Sequence, residues 1–153
     1  MADISAVTTA AQDLASKDEE SLVMLIGMLE GEIKKNPAIA QDPYYQPKYD
    51  GNTMGLMDDI KRLGRRVLNR WNKELHGLVC GGKTGDQKDR DAILSALNLG
   101  EVAVIGAVAA ALMGLAVPAP IAAALAPLIV RKFIWPAKDE LCTAWGEGIA
   151  GSQ

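Results

Sequence analysis

The octapeptide Gly77-Leu78-Val79-Cys80-Gly81-Gly82-Lys83-Thr84 satisfies G-x-x-x-x-G-K-[ST], the pattern of a phosphate-binding loop. In such a loop glycine backbone wraps the phosphates between a strand and a helix, the lysine reaches the outer phosphates, and the hydroxyl holds magnesium. Here a long amphipathic helical pattern precedes the glycines, and no apolar strand ending in aspartate follows. The expected role is a glycine helix stop followed by an exposed basic loop.

His76 and Cys80 fall four residues apart on one helical face. Two ligands without a second pair do not make a zinc site. A cysteine–histidine nucleophile pair lacks any flanking signature here. Cys142 reads as a small buried hydrophobe. With Cys80 it forms no disulfide framework, so a reducing cytosol is the expected origin. Asp58-Asp59 and Asp139-Glu140 are sequence neighbours that do not face each other on a helix, and they read as surface charges. No catalytic, cofactor-binding or metal-ligating residue is assigned, and no enzyme is expected.

The dominant feature concerns environment rather than reaction. Val102 to Val130 runs for 29 residues without a charged, amide or hydroxyl side chain, between Glu101 and Arg131-Lys132. A helix apolar all round belongs in lipid or inside a larger assembly, so cover by lipid or by a neighbouring subunit is expected. Pro118-Ala119-Pro120 divides the segment, because proline lacks an N–H and restricts its predecessor. The two predicted arms, Val102 to Val117 and Ala119 to about Ile134, would each be roughly 24 Å long, slightly short of the bilayer's ~30 Å hydrocarbon layer.

Twelve Val, Leu or Ile residues in this stretch contribute on the order of −5 kcal/mol of insertion energy before glycine and proline subtract from it. That is a weak anchor, suited to a hairpin that resides in a bundle and later enters lipid. The expected membrane-inserting residues are Ile105, Val108, Leu112 and Leu115 on the first arm and Ile121, Leu125, Leu128 and Ile129 on the second. Gly106, Ala110 and Gly114 form a small-residue row of the kind that lets helices approach closely. Pro127 is expected to kink the second arm.

Other segments supply the surrounding helices. Asp3 can cap a first helix over Ile4, Val7, Ala11 and Leu14, and Ser16-Lys17-Asp18-Glu19 matches a capping box. The core face Leu22, Val23, Leu25, Ile26, Leu29 and Ile33 follows, ending at Asn36-Pro37. Residues 1–36 are thus two acidic helices. Residues 37–52 form a Pro/Tyr loop whose Tyr44, Tyr45 and Tyr49 should lay their rings on the bundle.

Residues 53–79 form a basic amphipathic helix with Leu56, Ile60, Leu63, Val67, Trp71, Leu75 and Leu78 inward. Its Lys61, Arg62, Arg65, Arg66, Arg70 and Lys73 lie outward, positioned for anionic lipid, for a partner, or for the acids of the second helix. Arg131 and Lys132, beside Trp135, suit the point where a helix leaves a bilayer. A connecting helix is expected over 86–99, the apolar hairpin over 102–134, and a last helix over 136–146, started by Pro136, with Leu141 and Trp145 inward and residues from Gly146 frayed.

The expected fold is all-α: a single domain of about six helices around a central hydrophobic hairpin. Over residues 53–135 this plan resembles pore-forming colicin domains, in which amphipathic helices shelter a hydrophobic hairpin. The resemblance is architectural and assigns no residue a role. The expected partners are anionic membrane lipid, a second copy of the chain, or a larger protein, but not nucleic acid, for which no readout motif is present. With no cationic stretch before an apolar core at the N-terminus, no cleaved signal is expected. Cytoplasmic synthesis followed by membrane association is the resulting expectation, with a soluble interaction or oligomerisation module as the alternative.

Overall fold

The computed structural model describes residues 3–47, 56–80 and 87–151. Among them lie seven α-helices and no strand: α1 Ile4–Leu14, α2 Glu19–Lys35, α3 Met57–Cys80, α4 Gln87–Ala96, α5 Glu101–Gly114, α6 Ala119–Ile129 and α7 Leu141–Gly151. Short 3-10 turns occupy Pro37–Gln41 and Lys138–Glu140, and a π-turn, Val130–Ile134, extends α6. The architecture is the all-α bundle expected from the periodicity.

Helix α6 is its axis. All 11 of its residues are buried, and α1, α2, α3, α5 and the Pro37–Gln41 turn pack around it. This corrects the expectation that lipid or another subunit must cover the second arm. The amphipathic helices of the same chain present enough apolar surface to enclose it, through residues such as Val7, Ala11, Leu22, Ile26 and Leu29. Removing such side chains from water at about 25 cal/mol per Å² is the main force holding the bundle.

Helices α2 and α3 run antiparallel and touch backbone to backbone. A Cβ added to Gly27 would collide with the carbonyl oxygen of Ile60, and one added to Gly64 with that of Val23. Both glycines are buried, and their missing side chains are what allow the contact.

Local signals explain most helix ends. Asp3 accepts a hydrogen bond from Ser5 N at 3.1 Å. The expected Ser16 capping box does not form. Asp18 caps α2 instead, accepting from Ser21 N at 2.8 Å, while Ser16 Oγ turns back to Asp13 O. A carboxylate accepts more strongly than a hydroxyl, so the helix starts at the later residue. These bonds to Ser21, first the side chain's and then the backbone's, hold the Asp18 carboxyl below its ordinary pKa.

The first hairpin arm ends at Gly114, three residues before the expected Val117. Its end is a Schellman turn: Val117 N donates to Leu112 O and Ala116 N to Met113 O, with Ala116 at φ 69°. Pro118 and Pro120 then start α6. Pro127 sits inside α6, and α geometry gives way at the π-turn just beyond it, where Trp135 N reaches Val130 O at 2.8 Å.

The last helix also departs from expectation. Pro136 lies in a turn, α7 begins at Leu141, and it continues to Gly151 rather than fraying at Gly146, because Ile149 adds a further buried residue beyond Leu141 and Trp145. Tyr44 is exposed and Tyr45 half-buried, so only the second ring lies on the bundle as expected. Glu32 hydrogen-bonds the Tyr45 hydroxyl and raises its pKa, with burial and the glutamate's charge adding to the rise. Tyr49 and Gly81 to Thr84 lie outside the described residues.

Candidate functional site: an enclosed apolar hairpin with a cationic face and a covalent seam

The expected inserting residues sit in the protein's own core. Ile105, Val108, Leu112, Ile121, Leu125, Leu128 and Ile129 are all buried, and Leu115 at the turn is half-buried. The small-residue row is divided. Gly106 faces Thr8 and Gln12 of α1, Ala110 is half-buried, and Gly114 is exposed beside Asp89. Ala110 and Gly114 border an open, mostly apolar cleft of about 610 Å³ at the hairpin tip, shared with Ile4, Met113 and Val117.

Among the described residues no single helix is long and apolar enough to cross a membrane. Ala119–Ile134 and Lys138–Gly151 pass that test together, as a pair bent by 77°. That pair joins the second arm to α7 rather than to the first arm.

The eight expected contact cations fall into two groups. Four converge on the acidic start of α2: Lys61 and Arg65 meet Glu20 at 3.0 and 3.1 Å, Lys132 meets Glu19 at 2.7 Å, and Arg131 donates to the Lys17 carbonyl. The hydrogen bond and charge of Lys61, with Arg65 beyond it, hold Glu20 below its ordinary pKa. These contacts tie α3 and the hairpin exit to the start of α2 through pairs that are themselves largely exposed. The other four, Arg62, Arg66, Arg70 and Lys73, remain exposed along the outer face of α3. Of these, Arg62 has an exposed ion pair with Asp59 at 3.6 Å, and Arg70 lies over the Trp71 ring at 4.6 Å. Exposed pairs of this kind contribute roughly 0–1 kcal/mol, so they leave the row free to meet an external anion.

A third feature was not anticipated. Cys80 and Cys142 are joined by a disulfide with their Cα atoms 5.5 Å apart, and Cys142 is exposed. Both the unpaired-cysteine expectation and the reading of Cys142 as a buried hydrophobe are therefore corrected. The two lie 62 residues apart, so only the folding of α7 onto the end of α3 brings them together. A loop of that length corresponds to roughly 4 kcal/mol in the chain-entropy account of disulfides.

Asn72, His76 and Cys80 recur every four residues and form one seam against α7. Trp145 Nε1 donates to Asn72 Oδ1 at 2.7 Å, His76 Nε2 lies 3.1 Å from the Cys142 carbonyl oxygen, and the His76 and Trp145 rings meet edge to face at 5.1 Å. The Asn72 side chain is buried, and among the described residues its Nδ2 has no hydrogen-bond partner. The phosphate-loop match loses its opening half here, since Gly77 to Cys80 are helical and Cys80 is bonded. The four-residue spacing placed His76 and Cys80 on one helical face, but nothing in the sequence paired that face with α7.

No protein-family model, no curated protein and no solved structure matches the chain.

Proposed function

We propose that the chain is a small membrane-active helical protein. Its bundle is a resting form that stores the apolar hairpin, and the outer cations of α3 bring it to an anionic bilayer. The observation that carries this reading is α6 with its π-turn: a segment apolar apart from Arg131 and Lys132, held at the centre of helices whose outer faces are polar. Transfer to lipid exchanges one apolar surrounding for another, so the hairpin itself loses little. The four outer cations supply the attraction, at about 1 kcal/mol per basic residue near an anionic leaflet. Insertion followed by oligomerisation would permeabilise the bilayer, the action of a bacterial pore-forming toxin or defence effector.

The complete burial of α6 favours a second reading, a soluble interaction or oligomerisation module. In that reading the bundle never opens, and the cleft at the hairpin tip receives a protein. Flotation with anionic and neutral vesicles, combined with dye release, separates the two. Flotation and leakage with anionic vesicles alone support the membrane reading; binding without leakage reduces it to anchoring; a monodisperse particle indifferent to both vesicles overturns it.

A further inference from the structure

We propose that Cys80 and Cys142 form a thiol-exchange site whose substrate is a dithiol reductant, and that reduction there releases α7 from the bundle. The bond is reachable: Cys142 is exposed and Cys80 half-buried. Access is what an attacking thiolate requires. The bond also lies at the end of the seam, where its loss leaves the remaining contacts to hold a terminal helix.

Helix α7 buries only Leu141, Trp145 and Ile149. Its polar ties to α3 are the Trp145–Asn72 hydrogen bond and the contact of His76 Nε2 with the Cys142 carbonyl oxygen, and among the described residues the buried Asn72 Nδ2 has no partner. An unsatisfied buried donor is relieved when water enters, so the seam carries a local reason to open. On its other side α7 covers the π-turn, with Gly148 placed so closely that a Cβ there would lie 3.2 Å from the Phe133 ring. Opening the seam therefore uncovers Trp145 and Phe133 together.

The exchange balances without a further reactant. One thiolate of the dithiol attacks Cys142 Sγ, the Cys80–Cys142 bond breaks, and Cys80 leaves as a thiolate that takes up a proton. The second thiol of the reductant then attacks the mixed disulfide and releases Cys142 as a thiol. The protein disulfide gains two electrons and two protons, and the dithiol becomes a disulfide. This inference stands apart from the membrane reading; if both hold, reduction uncovers the hairpin exit before lipid is met.

Hydrogen exchange measured by mass spectrometry, with alkylation to count thiols, tests it on the intact chain. The air-oxidised protein should hold no alkylatable thiol. After treatment with dithiothreitol both cysteines should alkylate, and amides of Leu141–Gly151 should exchange at least about tenfold faster while Leu22–Leu29 keep their protection. The double variant Cys80→Ser/Cys142→Ser should match the reduced wild type without reductant; should that variant fail to fold, the reduced wild type alone decides. Free thiols before reduction, unchanged exchange in α7 after it, or equal acceleration in α2 would each overturn the proposal.

Discussion

Gly27 of α2 meets the backbone of Ile60, and Gly64 of α3 meets the backbone of Val23, so each glycine meets the opposite helix four residues before the other glycine. This reciprocal pair sets how closely α2 and α3 approach. The same approach brings Glu20 within reach of both Lys61 and Arg65. Gly27→Ala or Gly64→Ala forces the helices apart, and overpacking of that kind costs about 1–3 kcal/mol, although alanine is the better helix former. Urea unfolding should show the loss for both variants, whereas Gly31→Ala, which meets nothing within 4 Å, should be neutral or stabilising.

Ala116 holds the left-handed position of the Schellman turn that reverses the hairpin. A Cβ there costs about 1–2 kcal/mol, which glycine avoids. Ala116→Gly should therefore raise stability, by about 1 kcal/mol once glycine's greater freedom in the unfolded chain is subtracted. Thermal unfolding monitored by circular dichroism measures the change.

Glu20 has its pKa lowered by Lys61 and Arg65. A carboxylate with a depressed folded-state pKa stabilises the fold above its unfolded value, and that contribution disappears as the pH falls through the folded value. Stability should therefore decline below the ordinary glutamate range. Glu20→Gln should be less stable than wild type near neutral pH, and the difference should shrink as the pH is lowered to about 3. Because Glu20 is exposed, the effect is small; melting curves across this range would show the convergence.

Arg66 and Lys73 face outward and carry no ion pair among the described residues. Replacing both with glutamine should leave stability unchanged and weaken binding to anionic vesicles by about 1 kcal/mol per residue, roughly 30-fold together. Cosedimentation at low and high salt checks this, and neutral vesicles supply the baseline.

Much of this arrangement was legible before the fold was known, because helix periodicity reports an inward face without needing its partner. The runs from Leu22 to Ile33 and from Ile60 to Leu78 became α2 and α3, and the paired prolines placed the turn before α6. The acid-rich second helix was already a candidate partner for the basic one, and Glu20 is where Lys61 and Arg65 went. Other relationships between distant segments were illegible. Gly27 and Gly64 carry no signal in the sequence that each will meet the opposing backbone. Cys80 and Cys142 carry no spacing signal at 62 residues apart. An apolar run likewise declares that it must be covered without declaring by what, which is why the enclosure of α6 by its own chain was not foreseen.

The measurement closest to the central claim is photolabelling with a phospholipid that carries a photoactivatable group midway along its acyl chain. The intact protein is mixed with anionic vesicles containing that lipid, illuminated, digested and mapped by mass spectrometry. Storage and release of the hairpin place the adducts within Ala119–Ile134. Adducts confined to the outer face of α3, or none at all while the protein stays bound, would contradict it.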